Sequence, residues 1–293
     1  MGKWGNEEVV EWRNNFLVLK VLMPEWQGCG TSNAVYDGAL ALAGEWWPDG
    51  PDLTVEALRD ETLAIQGGIK GLHSIAPRAV GALEALRREA PARLVTVGGT
   101  CGVELAPVSY LHERYGDDLL VVWLDAHADL NTPSSSPSGH FHGMVLRSLL
   151  GEGPAEAAAV VTRPLDPAQV FIVGARDLDA PEHEYVGRSG VTWLGPDVCD
   201  APERLVDQIQ RTGCSHLYVH FDVDLVDPAD FPSTYYQVPG GPTLAAAADT
   251  LAELHRHFDV VGMSVLEYCD RELRDRQRLV TALRAAQARS CCG

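Results

Sequence analysis

Apolar residues in this chain come in short runs separated by stretches of helical spacing. "FLVLKVLM" (16–23), "RLVTVGG" (93–99), "LLVVWLDAH" (119–127), "QVFIVGARD" (169–177), "HLYVHFDVD" (216–224) and "VVGMSVLEY" (260–268) predict strands, with shorter ones over 53–58 and 191–195. Helical periodicity occupies 33–44, 72–90, 106–115, 142–150, 202–213, 244–258 and 271–289. Pro77 falls early in its helix, where a missing N–H costs little. Several strand runs are continuously apolar, as in a parallel sheet covered on both faces. Regular βα alternation therefore predicts a single α/β domain over residues 1–293, with helices on both sides of the sheet. A (β/α)8 barrel has the same periodicity and stays open. The Pro/Ala-rich segment 151–166 reads as a surface excursion.

Composition narrows the choice. A net charge of -18 disfavours phosphate backbones, so nucleic acid is not an expected partner. No apolar run approaches ~20 residues, the length a spanning helix needs, so no membrane is expected. The opening "MGKWGNEEVVEWRNNF" lacks a basic-then-apolar leader pattern. Seven cysteines, scattered except for Cys291 and Cys292, contain no Cys-x-x-Cys pair. Reduced thiols in a cytoplasmic protein are the simplest account.

Candidate chemistry sits where strands end. Asp125, His127 and Asp129 alternate after one apolar run, and Asp222 and Asp224 after another. On extended backbone, alternate side chains share one side. A lone Asp-x-Asp commonly caps a turn. Two such clusters at strand ends, where parallel sheets gather ligands, point instead to a divalent cation. Oxygen-rich ligation with one imidazole favours a harder ion such as Mn²⁺. His73, His112, His183, His216, His255 and His257 have no such context.

"DAHADLNTPSSSPSGHFHG" and "HFDVDLVDP" resemble the two metal signatures of the ureohydrolases, the arginase and agmatinase family, and the likeness runs through to Glu267. The resemblance implies a three-layer α/β/α fold with a mainly parallel eight-stranded sheet. It also implies two Mn(II) ions per chain and a hydroxide nucleophile attacking a guanidinium carbon. Asp125 and Asp222 would bridge the ions. Asp129 and Cys101 would complete the first site, and His127 and Asp224 the second. His142 matches the proton shuttle, and Glu267 the acid that orients the guanidinium. Asn131, Ser136 and Ser138 match positions that grip an α-carboxylate, and Asp179 and Glu182 positions that meet an α-amino group. An arginine-type amino acid is thus favoured over agmatine. The family's trimers and hexamers suggest a homo-oligomer, although no motif here reports one.

The pattern breaks in three places. "GGTCG" stands where the family has "GGDHS", so Cys101 replaces a histidine ligand and Thr100 an aspartate. A thiolate is soft, anionic and a poor match to Mn²⁺. Cys101 either ligates, packs as a thiol beside a weakened site, or marks a degenerate one; the presence of every other ligand favours ligation. A cysteine here is similar to the Nω-hydroxy-L-arginine hydrolases of D-cycloserine biosynthesis, which release hydroxyurea, and so suggests a role in antibiotic biosynthesis. Tyr236 replaces a threonine near the guanidinium, and His140 an asparagine near the carboxylate end. Competing readings are a single-metal zinc deacetylase of the same fold, an agmatine hydrolase, and a metal-poor protein that binds an arginine derivative.

Overall fold

The computed structural model describes residues 18–288, so Cys291 and Cys292 lie outside it, as do the first residues of the 16–23 run. Ten strands alternate with eight α-helices among the described residues. In the main sheet β1 is Val18–Met23, β2 Leu53–Thr54, β5 Arg93–Gly98, β6 Leu119–Leu124, β7 Val170–Val173, β8 Thr192–Leu194, β9 His216–Asp222 and β10 Asp259–Leu266. Their order is β2-β1-β5-β10-β9-β6-β7-β8, and every pairing is parallel. The sheet ends in two open edges, which excludes the barrel. The order reverses beside β5 and β10, the kind of switch point at which strand ends leave a crevice.

The continuous apolar runs face both ways. Val121 and Trp123 of β6 point into one core, with α2 (Leu72–Glu89), α3 (Leu105–Tyr115) and α4 (Val145–Leu149). Leu120, Val122 and Leu124 point into the other, with α1 (Ala34–Trp46), α6 (Glu203–Gln210), α7 (Leu244–His257) and α8 (Leu273–Ala288). Each face is dry, so a strand needs apolar residues at every position.

Several sequence expectations change. The predicted strand over 53–58 shrinks to Leu53–Thr54, and a small antiparallel hairpin, β3 (Ile65–Gln66) with β4 (Ile69–Lys70), was not signalled. Segment 151–166 is no excursion: Ala157, Val160, Val161 and Leu165 are buried in the core. Alternation here was too short to register. α5 is Ala180–Ser189. No described helix is long and apolar enough to cross a membrane. The five cysteines among the described residues are free thiols.

Gly38 shows packing overriding propensity. A Cβ there would stand 1.8 Å from the carbonyl oxygen of Tyr268, just past β10. Helix propensity alone favours Ala over Gly by about 1 kcal/mol. The backbone clash outweighs it, so Gly38→Ala should lower stability by roughly 1–3 kcal/mol. Urea unfolding would measure it, and a gain in stability would show that α1 can shift away from the sheet.

Candidate active site

Five adjacent strands, β5, β10, β9, β6 and β7, deliver the candidate residues from their carboxyl ends. Cys101 opens a tight turn after β5, Asp125 follows β6, Asp222 closes β9, and Glu267 follows β10. Gly99 makes the first of these possible, because a Cβ there would meet the carbonyl oxygen of Glu25 at 2.0 Å. Thr100 then donates its hydroxyl to the buried Glu25 carboxylate at 2.6 Å.

The alternation argument needs correcting. β6 ends at Leu124, so Asp125, His127 and Asp129 lie in a loop rather than on pleated strand. The loop folds back on itself: Asp125 Oδ1 accepts from the His127 backbone N–H at 2.7 Å, and Asp129 takes a left-handed φ of 52°. Asp222 Oδ1 likewise accepts from the Asp224 N–H at 2.7 Å, while its Oδ2 lies 3.1 Å from Cys101 Sγ. The turn-capping role and the site role thus belong to the same carboxylate. Glu267 also has positive φ, at 58°. Such backbone costs of order 1–3 kcal/mol outside glycine and clusters at functional sites.

The electrostatics show what is missing from the protein's own charges. Asp125, Asp129, Asp222, Asp224 and Glu267 are all buried. Burial pushes the Asp129 and Asp222 carboxyls well up, with further push from Asp125 on the first and from Asp224 and Asp125 on the second. Burial and the charge of Asp125 raise Asp224 to about 6. Burial and Asp222 raise the Cys101 thiol. For Asp125, burial is outweighed by hydrogen bonds from His127 and His220, which hold it well below the usual carboxylate range. Asp129 Oδ2 and Glu267 Oε2 are buried without any partner. Crowded carboxylates with orphaned oxygens, an imidazole and a thiol form a donor set that fits divalent cations.

Donor atoms group accordingly. Those of Asp125, His127 and Asp224 lie within 4.8 Å of one another, as do those of Cys101, Asp222 and Glu267, and those of Cys101, Asp125, Asp129 and His220. His127 Nδ1 stands 3.0 Å from Asp224 Oδ2. His142 Nδ1 pairs with Glu267 Oε1 at 3.0 Å, and the same oxygen accepts from the Cys101 N–H at 3.2 Å.

Above these groups opens a cavity of about 270 Å³. Asn131, Ser136, Ser138, Asp177, Asp179, Glu182 and Tyr236 line it with His142. The Tyr236 ring stands 5.3 Å from that of His142 and 6.0 Å from that of His127, centroid to centroid. Several lining residues already have partners. Asn131 Nδ2 donates to Asp179 Oδ2 at 2.9 Å, Ser136 Oγ accepts from the Gly139 N–H, and Ser138 Oγ from the His140 N–H. Glu182 closes a capping box at the start of α5 and accepts from the Leu130 N–H at 2.9 Å.

His140 departs from expectation. It is not among the residues lining this cavity; its ring lies against Gly30, where a Cβ would stand 2.7 Å from it, and 6.0 Å from the His142 ring. The residue that sequence reasoning missed is His220. It lies inside the apolar run of β9, two positions before Asp222 and therefore on the same side of the strand. Its signal was a polar residue in a stretch that otherwise buries apolar ones.

The arginase-family profile matches residues 50–291, and the chain belongs to that family of ureohydrolases. An arginase of Staphylococcus aureus (strain MRSA252) is 32% identical over 179 residues, covering 59% of this chain and 59% of that protein. The match thus spans under two thirds of its curated relative. Entamoeba histolytica arginase, solved with L-ornithine, superposes with a TM-score of 0.82 at 19% identity, over 92% of this chain and 98% of that one. Proclavaminate amidino hydrolase from Streptomyces clavuligerus gives 0.69 at 23%, over 93% and 92%. These likenesses carry the fold.

The capping box yields a prediction. Glu182→Ala strips the acceptor from two backbone N–H groups, Leu130 and Asp179. It should destabilise by about 1–3 kcal/mol and loosen the 129–131 loop. Thermal unfolding with amide exchange at Leu130 would measure both, and unchanged protection there would make Glu182 a free ligand contact instead.

Proposed function

We propose that this chain is a dinuclear-metal amidinohydrolase that cleaves the guanidino group of an arginine-type amino acid. The best-supported substrate is Nω-hydroxy-L-arginine, giving hydroxyurea and L-ornithine; L-arginine, giving urea and L-ornithine, stands next. The observation that carries this reading is the burial of five carboxylates, two with orphaned oxygens, beneath a cavity sized for a small amino acid. Asp125, His127, Asp129, Asp222, Asp224 and Cys101 would hold two divalent ions, Mn(II) by the family's chemistry. When bound, such ions supply Lewis acidity that lowers the pKa of water toward neutrality.

The chain's own residues do the rest. Glu267 Oε2, without a partner, is free to accept from the substrate guanidinium. Glu267 Oε1 holds His142 at Nδ1, which leaves Nε2 to deliver a proton to the leaving nitrogen. Tyr236 narrows the guanidine end. Asp179, Asn131 and Ser138 present polar groups at the mouth, where an α-amino acid would place its zwitterion. Cys101 is the feature shared with the D-cycloserine-type hydrolases, and that likeness favours the N-hydroxy form, while Tyr236 reshapes the guanidine end of the pocket.

Asp125→Ala and Asp222→Ala should each abolish turnover and lower metal content. His142→Ala should keep the metal and slow turnover by ~10²–10⁴. Loss of metal from the His142 variant would make it a ligand. Sites that hydrogen-bond a charged group reject analogues lacking it. The expected order of kcat/KM is therefore Nω-hydroxy-L-arginine, L-arginine, then agmatine. Competition assays for hydroxyurea and urea check it. Agmatine in front would exclude the zwitterion reading, and arginine well ahead of its hydroxy form would indicate an ordinary arginase with an unusual ligand.

A further inference from the structure

Replacing a histidine by Cys101 removes a neutral imidazole from one end of the metal site, and β9 places another beside it. His220 is fully buried within the apolar run of β9, two positions before Asp222. Its Nε2 lies 3.4 Å from Asp125 Oδ2 and 3.8 Å from Cys101 Sγ. We propose that His220 is a cation ligand, completing a site with Cys101, Asp125 and Asp129, and that Glu104 is the positioning residue that aims it. This rests on the reading of the site as one that binds divalent ions.

Two further contacts fix the ring for that task. Nδ1 pairs with Glu104 Oε1 at 2.8 Å. The Glu104 carboxylate is itself anchored, because the hydroxyls of Tyr218 and Ser264 both donate to it. With Nδ1 held by this buried carboxylate, Nε2 is the ring atom turned toward Asp125 and Cys101. Carboxylate–imidazole pairs of this kind commonly stand behind metal-ligating histidines. The ring also stacks on Trp123, with centroids 3.5 Å apart and planes 4° from parallel. Trp123 in turn donates Nε1–H to Asp125 Oδ2 at 3.2 Å, so one indole orients both the imidazole and the carboxylate.

Donor atoms of His220, Asp125, Asp129 and Cys101 all lie within 4.8 Å of one another, and Asp129 Oδ2 is buried without a partner. A divalent ion is the group that such a cluster takes. With one sulfur, one imidazole nitrogen and two carboxylates, it is softer than an all-oxygen and imidazole set. It should accept borderline ions such as Co²⁺ or Zn²⁺ more readily than Mn²⁺.

The test uses the full chain stripped by chelation and titrated with Co²⁺ alone, with metal per chain measured by mass spectrometry and cobalt–thiolate absorption recorded. Wild type should bind two equivalents and show the thiolate band. His220→Ala should lose one equivalent together with that band. Glu104→Gln should keep both equivalents but weaken one by about 10–100-fold. Cys101→His in the His220→Ala background should regain the lost equivalent, a gain that misfolding cannot imitate. Two equivalents in His220→Ala with affinity and thiolate band unchanged would overturn the proposal, leaving the imidazole as a structural bridge between Glu104 and Asp125. Wild type that binds no Co²⁺, Zn²⁺ or Mn²⁺ would overturn the metal reading of the whole site as well.

Discussion

Mutual repulsion among buried carboxylates is the constraint on which this structure turns. Asp125, Asp129, Asp222, Asp224 and Glu267 share a space from which water is largely excluded. Two like charges a few ångströms apart there repel by several kcal/mol, far more than in water. Imidazole partners answer only part of this: His127 reaches Asp224 and Asp125, and His142 reaches Glu267. The rest of the molecule holds the acids in place against that repulsion. A parallel sheet suits the task, because all its strands end on one side and their first loop residues converge without long connections.

Support for the site extends well behind it. The 125–131 loop is fixed from beneath by Arg147, whose guanidinium lies 3.5 Å over the Tyr185 ring and donates to the Leu130 carbonyl and to Glu152. Glu182 holds the other side of the loop through the Leu130 N–H. These contacts stabilise the left-handed backbone at Asp129, which would otherwise relax. Glu25 plays a similar part for the loop after β5, accepting from Gly28 N–H and from Thr100. Precision at the site is therefore shared with residues outside the cavity wall, such as Arg147, Tyr185 and Glu25.

Cys101 and His220 belong together in this picture. A thiolate at one strand end would deepen the central problem. His220 on β9, paired with the buried Glu104 carboxylate, places an imidazole beside it. Glu104 is satisfied by three donors, so it does not add to the unbalanced charge facing the cavity.

Much of the fold was legible in the sequence, because apolar periodicity follows directly from which faces are dry. The strands at β5, β6, β7, β9 and β10 and most helices between them read off to within a few residues, whereas α5 was not among the periodic segments. The choice between open sheet and barrel did not, since closure depends on which edge strands meet. The acidic strand ends were equally visible, as polar residues interrupting apolar runs mark sites by composition alone. How those ends converge was decided by tertiary structure: the loop from Asp125 to Asp129 turns by hydrogen bonds and a left-handed residue, where alternation had suggested extended chain. The placing of His140 against Gly30 and of His220 between Glu104 and Trp123 has one physical reason. A side chain's neighbours are set by the packing of strands and loops distant in sequence, such as Glu104, Trp123 and Gly30, and no local pattern records those approaches.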